Sequence, residues 1–128
     1  MKNHEMRKYS IIQQDPTLRT NLMSFGFECG MGWFPLIYEL LDKLQAIEDR
    51  DKRGLFLTQV KEKFGELRVY TSYDTDEIFD LIQEYCEKSR SVCEICGAPA
   101  SLKMTAFRWY RTLCDKHGKE MGYVDIEE

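Results

Sequence analysis

The feature that most constrains this chain lies near its C-terminus: Cys93-Glu94-Ile95-Cys96, then, beyond residues 97–113, Cys114-Asp115-Lys116-His117. A two-residue gap lets one tight turn aim both flanking side chains at a single point, so two such turns supply four ligands. Three thiolates and an imidazole suit Zn²⁺ in a tetrahedron. Paired spacing of this kind is among the more specific signals a sequence carries. Gly97 follows the first pair, where a metal-binding knuckle often needs positive φ. The competing readings are three buried cysteines beside an unrelated histidine, and an iron–sulfur centre, for which three Cys and one His are a less usual set. Zinc held by Cys93, Cys96, Cys114 and His117 is the favoured cofactor. Four protein ligands close the shell, whereas catalytic zinc keeps a position open for water. The site is therefore expected to be structural: a segment of about 30 residues buries too little apolar surface alone, and metal binding supplies the stability.

At 128 residues the chain is one domain, or one with a small appendage. Residues 1–14 are read as a short helix bearing Met6, Tyr9, Ile12 and Gln13. Asp15-Pro16-Thr17 breaks it and caps a second short helix through Leu18, Leu22 and Met23. Phe25 to Trp33 reads as a loop pinned down by its aromatics, with Gly26, Gly30 and Gly32 serving turns and close packing. Their spacing is not that of a phosphate loop. From Trp33 to about Asp49, the stripe Trp33, Ile37, Leu40, Leu41, Leu44 and Ile47 predicts a helix, with Pro35 in its first turn and Gly54 beyond its charged exit. The period then changes. Phe56, Thr58 and Val60, and again Leu67, Val69 and Thr71, predict antiparallel strands over 55–62 and 66–73 joined at Phe64-Gly65. Asp74 caps a helix over 75–90, Glu77 completes a capping box, and Ile78, Leu81, Ile82, Tyr85 and Cys86 form its core-facing stripe.

A knuckle at 93–97, a hairpin through Met104 to Leu113 and a helix over 115–122 follow in the order of a treble-clef zinc module, which the segment 91–122 resembles. The expected fold class is α+β: helices packed on a small antiparallel sheet (hairpin 55–73), with this treble-clef-like module at the C-terminus. Residues 1–90 form the core and 91–128 the module, as one cooperative unit, because Glu87 to Val92 is too short and too poor in Gly and Pro to act as a free linker. Phe107, Trp109 and Tyr110 exceed what a small module can bury, so some are expected to pack on helix 75–90 or on the 55–73 hairpin.

Catalytic residues are scarce. The two histidines are His4 and His117, and if His117 binds metal only His4 titrates near neutral pH. Nothing in the spacing pairs Cys29 or Cys86 with a base. Glu62/Glu66 and Asp74/Asp76 read as exposed strand and cap residues. A treble-clef nuclease of the HNH type needs a histidine just before its hairpin, and residues 5–116 contain none. No enzyme is expected. Five cysteines, three of them assigned to metal, leave Cys29 and Cys86 as free thiols, which fits a cytoplasmic location. No apolar stretch approaches the ~20 residues of a membrane span, so no membrane is expected as partner. The net charge of −4 disfavours general coating of duplexes. Locally, however, Lys103, Arg108, Arg111, Lys116 and Lys119 interleave with Phe107, Trp109 and Tyr110, a pattern suited to stacking plus phosphate contact. The plainer reading packs those aromatics inside and leaves the cations solvated.

Four segments occur in a fixed order: Phe27-Glu28-Cys29-Gly30-Met31-Gly32-Trp33, the run Gln59 to Tyr70, Cys93-Glu94-Ile95-Cys96-Gly97, and Arg111-Thr112-Leu113-Cys114-Asp115-Lys116-His117. Over about residues 18–120 the chain resembles a widespread group of small bacteriophage- and prophage-encoded proteins that carries no assigned activity. The resemblance implies a phage setting, hence host cytoplasm, and a zinc module. One departure is Ala106-Phe107-Arg108, where the group has a glycine-rich approach to the aromatic. The functional expectation is a non-enzymatic phage accessory protein that binds a host or phage protein, for instance to inhibit a defence or a host machine. The alternative is a nucleic-acid-binding zinc module using the 103–119 surface.

Overall fold

The computed structural model describes residues 9–12, 17 and 19–126. It is α+β, with four helices and small sheets. The expected N-terminal helix is corrected where it can be seen. Tyr9 to Ile12 is a turn, and the Ile11 carbonyl accepts the Leu57 N–H at 2.8 Å. The consecutive Ile11 and Ile12 are both buried, which an edge attachment to the sheet allows. Residues 1–8, 13–16 and 18 lie outside the described residues.

Helix α1 (Asn21–Phe25) is capped by Thr20, whose hydroxyl accepts the Met23 N–H at 3.2 Å, rather than by residues 15–17. The Phe25–Trp33 segment holds two short elements, strand β1 (Phe27–Glu28) and a 3-10 turn (Met31–Trp33). Helix α2 (Phe34–Asp51) buries Ile37, Leu40, Leu41, Leu44 and Ile47 together with Trp33, as the stripe predicts. It closes on Lys52 in the left-handed region, φ 51°, not on Gly54.

Strands β2 (Leu57–Lys63) and β3 (Glu66–Thr71) pair antiparallel, and β1 joins β2 in parallel. A register shift between Leu57 and Gln59 corrects the expected alternation: Leu57 and Val60 face the core, in place of Phe56, Thr58 and Val60. The strands meet at a two-residue turn with Phe64 at φ 53° and Gly65 at φ 80°, both positive, as a right-twisted hairpin prefers. Helix α3 (Asp76–Ser89) is capped by the Thr75 hydroxyl, which accepts the Ile78 N–H, not by Asp74. Asp76 and Glu77 fall in its first turn, where negative charge meets the helix dipole favourably. Its Ile78, Tyr85 and Cys86 are buried.

The C-terminal part builds a second antiparallel sheet, order β5-β4-β6, from β4 (Ser101–Met104), β5 (Tyr110–Leu113) and β6 (Val124–Asp125), with α4 (Asp115–Met121) after β5. Glu66 is not the solvated strand residue expected. It is buried and paired with Arg90 and, at 3.2 Å, with Arg68. Among the described residues no helix is long and apolar enough to cross a membrane.

Candidate metal centre

Two turns build the cluster. In the first, Gly97 adopts φ 83° and donates its N–H to the Cys93 carbonyl at 2.8 Å, while the Cys93 N–H goes to Ala98 at 2.8 Å. In the second, Cys114 is the N-cap of α4, and its sulfur accepts the His117 N–H at 3.5 Å. The four ligand atoms of Cys93, Cys96, Cys114 and His117 all lie within 4.8 Å of one another. Cys96 Sγ to Cys114 Sγ is 3.7 Å, Cys93 Sγ to His117 Nδ1 is 3.7 Å, and Cys114 Sγ to His117 Nδ1 is 3.2 Å. A tetrahedron with metal–sulfur bonds of ~2.3 Å and metal–nitrogen bonds of ~2.0 Å has edges of about 3.5 to 3.8 Å. The two separations of 3.7 Å fall in that range and the third, 3.2 Å, is shorter, so the donors are gathered closely enough for a single ion with Nδ1 as the imidazole donor. No disulfide competes, since all five cysteines are free. Burial pushes the Cys93 thiol up, but hydrogen bonds from the backbone N–H groups of Cys114, Cys96 and Ile95 outweigh it and bring it down to about 6. A thiol poised as thiolate is the form a metal takes.

The residue between the first two ligands, Glu94, points away from the cluster and is 3 % exposed. Its Oε2 accepts the Gly30 N–H at 2.8 Å, and its Oε1 takes Nε and Nη2 of Arg111 at 3.1 and 3.0 Å. Its carbonyl accepts the Gly32 N–H at 2.7 Å, and its own N–H goes to Thr112 at 3.0 Å. Only glycine allows this approach: a Cβ on Gly30 would stand 2.4 Å from the Glu94 oxygen. Trp33 Nε1 donates to the Val92 carbonyl at 2.8 Å, and Thr112 Oγ1 to that of Gly65 at 2.5 Å. The glycine-rich loop, the β2–β3 turn and both metal turns thus converge on one place. Sequence reasoning missed Glu94. A lone carboxylate between two ligands looks solvated, and no local pattern couples it to Arg111 or to a loop some 60 residues earlier.

The expected basic aromatic surface is partly corrected. Lys103 is 3 % exposed; its ammonium bonds Asp125 at 2.5 Å, Asp115 at 3.1 Å and Ser101 at 3.3 Å. Arg111 is turned inward to Glu94. Neither cation faces an outside ligand, because each is spent on a buried or bridging carboxylate pair. Arg108, Trp109, Lys116 and Lys119 are exposed. The expectation that some of the aromatics pack on helix 75–90 or on the 55–73 hairpin holds only at the hairpin's tip: Phe107 is 86 % and Trp109 69 % exposed, Tyr110 is half-buried, and all three line a cleft with Glu62 and Phe64. The β4–β5 tip holds them clear of the core. There Thr105 Oγ1 accepts the N–H groups of Phe107 and Trp109, and Thr105 N–H goes to the Trp109 carbonyl at 3.0 Å. Arg108 sits at φ 62° in that turn, where a glycine would be unstrained.

Cys29 and Cys86 do not form a second centre. Burial, then the charges of Glu94 and Glu62, push the Cys29 thiol up to about 12. Burial and Glu66 push Cys86 up to about 11. Comparison with protein-family models, with curated proteins and with solved structures finds no match to this chain.

Proposed function

We propose that this chain is a non-enzymatic binding protein, of the phage or prophage setting that its motif order implies, whose metal site is a structural zinc. Three sulfurs and one imidazole nitrogen gathered within 4.8 Å of one another are the donor set zinc prefers, and four protein donors leave no position for a substrate. Zinc would join the C-terminal sheet to the core through the turn that carries Glu94. The observation that carries a binding role is the cluster of exposed aromatics at the hairpin tips, Phe64, Phe107 and Trp109. Large apolar groups held out in solvent, beside arginine, are the composition of interface hot spots. A host or phage protein in the cytoplasm is the partner this composition suits. Elemental analysis of freshly purified protein should give one zinc per chain. Affinity capture from host cells followed by mass spectrometry should recover a partner that Trp109→Ala loses without losing zinc. Protein without stoichiometric metal would sink the structural-zinc reading.

A second reading, nucleic acid, is favoured by the charges around the same tips. Among the described residues Arg108 and Lys63 make no ion pair, and the Lys63 ammonium lies 5.9 Å from the Phe64 ring centroid. Of the neighbouring carboxylates, Glu66 is paired with Arg90 and Arg68, and Glu62 accepts the Gly65 N–H.

A further inference from the structure

Two hairpin turns that are distant in sequence stand side by side. Glu62 and Phe64, from the end of β2 and the β2–β3 turn, line a cleft of about 300 Å³ together with Phe107, Arg108, Trp109 and Tyr110 from the β4–β5 turn. Phe64 also lines a second cleft, of about 260 Å³, with Leu102. The rings of Phe64, Phe107 and Trp109 are 66 %, 86 % and 69 % exposed. Both tips are set firmly. Glu62 Oε2 accepts the Gly65 N–H at 2.6 Å, and Thr105 holds the other turn. Both also place a bulky residue in the left-handed region, Phe64 at φ 53° and Arg108 at φ 62°. Such backbone costs free energy that asparagine or glycine would avoid. The fold retains it at the two positions that put a ring and a guanidinium on the same cleft.

Charge decides what fits there. Of the acids nearby, Glu66 is paired with Arg90 and Arg68, while Glu62 accepts the Gly65 N–H, makes no ion pair among the described residues and lines the cleft itself, so it sets one negative charge against the two cations there. Lys63 and Arg108 have no carboxylate partner among the described residues. Lys63 and Arg108 against Glu62 leave a small cationic excess, and cations interleaved with exposed ring faces complement a chain of phosphates carrying unpaired planar bases. Paired bases offer no face to a ring, so stacking requires a single strand.

We propose that the paired tips bind single-stranded nucleic acid, with Phe64, Phe107 and Trp109 stacking bases while Lys63 and Arg108 contact phosphates. This rests on the second reading above, nucleic acid, and names single strands as its class, in place of the protein partner of the first reading. The surface differs from the one the sequence suggested, because Lys103 and Arg111 leave it and Lys63 and Phe64 join it.

The test uses the zinc-loaded full chain. Of its two tryptophans, Trp33 is fully buried and Trp109 exposed, so fluorescence quenching reports on the proposed site. Titration at low salt with oligodeoxyuridylate and with oligouridylate of about 12 nucleotides, which differ only in the 2′-hydroxyl, should quench Trp109, and the tighter arm identifies the sugar. A duplex of equal length should bind at least tenfold more weakly. Affinity should fall with salt, and Arg108→Gly, which suits the backbone there, should lower the slope by about 0.7. Phe64→Asn should weaken binding about tenfold or more while zinc content and melting temperature are kept or raised. Unchanged fluorescence with both oligonucleotides overturns the proposal and leaves the patch to a protein partner, with the zinc-stapled binding module intact. So does equal binding of duplex, or binding indifferent to Phe64→Asn and Arg108→Gly.

Discussion

Gly32 packs its backbone against that of Cys93 so closely that a Cβ on Gly32 would stand 2.1 Å from the Cys93 carbonyl oxygen. A glycine loop that reads as turn geometry is thus the seat for a metal-binding turn. Gly32→Ala cannot be absorbed by a flexible side chain, since the atoms it meets are backbone. The substitution should destabilise the protein by about 2–3 kcal/mol. It should also weaken zinc binding in a chelator competition. Urea unfolding that matches the parent within error would show that the two segments are not locked together.

Glu94 should matter more than an acidic residue beside a candidate metal ligand ordinarily does. It is 3 % exposed, and its carboxylate satisfies the Gly30 N–H and the Arg111 guanidinium at once. Glu94→Ala leaves Arg111 and a backbone donor without a partner and should cost roughly 3 kcal/mol, the lower end for a broken buried pair because Arg111 is partly solvated. Glu94→Gln keeps the shape and a neutral acceptor, and should cost roughly 1.5–2 kcal/mol. Denaturant midpoints of the two variants give the comparison; equal, small losses would place Glu94 outside the framework.

Thiol labelling separates the cysteines by their surroundings. With the Cys29 thiol pushed up to about 12 and Cys86 up to about 11, the folded protein at pH 8 holds on the order of one thiolate in ten thousand at Cys29 and one in a thousand at Cys86. Both should resist iodoacetamide in the zinc-loaded protein. Lowering pH slows them further, and each unit of rising pH speeds them about tenfold until those values are approached. Chelation should expose Cys93, Cys96 and Cys114 to labelling first, as read by peptide mass mapping. Fast modification of Cys29 in the native, metal-loaded state would contradict the assignment.

Much of this arrangement is legible in the chain. The stripe from Trp33 to Ile47 and that from Ile78 to Cys86 give two helices because a period near 3.6 has one structural meaning. The spacing of Cys93, Cys96, Cys114 and His117 gives the cluster because two-residue gaps fix local geometry. What stays hidden depends on partners remote in sequence. The bulge after Leu57 shifts which side chains face inward, and nothing local marks it. Caps at Thr20 and Thr75 displace equally plausible neighbours by a residue or more, since Asp, Ser and Thr compete on similar terms. Lys103 looks solvated until β6 and α4 bring Asp125 and Asp115 onto its ammonium. The aromatics at 107 and 109 look like core because size suggests burial, but a four-residue hairpin arm carries them past the core's edge.

The last prediction concerns cooperativity. The C-terminal part meets the rest through four backbone-anchored links: Gly30 and Gly32 to Glu94, Trp33 to Val92, and Gly65 to Thr112. Trp33, Gly30 and Gly32 lie immediately before α2, whose buried face is the centre of the main core. Freeing the Cys93–Gly97 turn should therefore loosen the seat of Trp33 and, through it, α2. Metal binding in small zinc modules contributes about 10 kcal/mol or more, comparable with the whole stability of a typical domain. Chelation should lower the melting temperature of the entire chain in one transition, with the signal of buried Trp33 and the far-ultraviolet helical signal moving together. Cys96→Ser should reproduce that shift in the presence of zinc. Two separate transitions, with the Trp33 signal and the melting of the first 90 residues unaffected by metal removal, would show that the zinc module is an appendage and that these links carry little free energy.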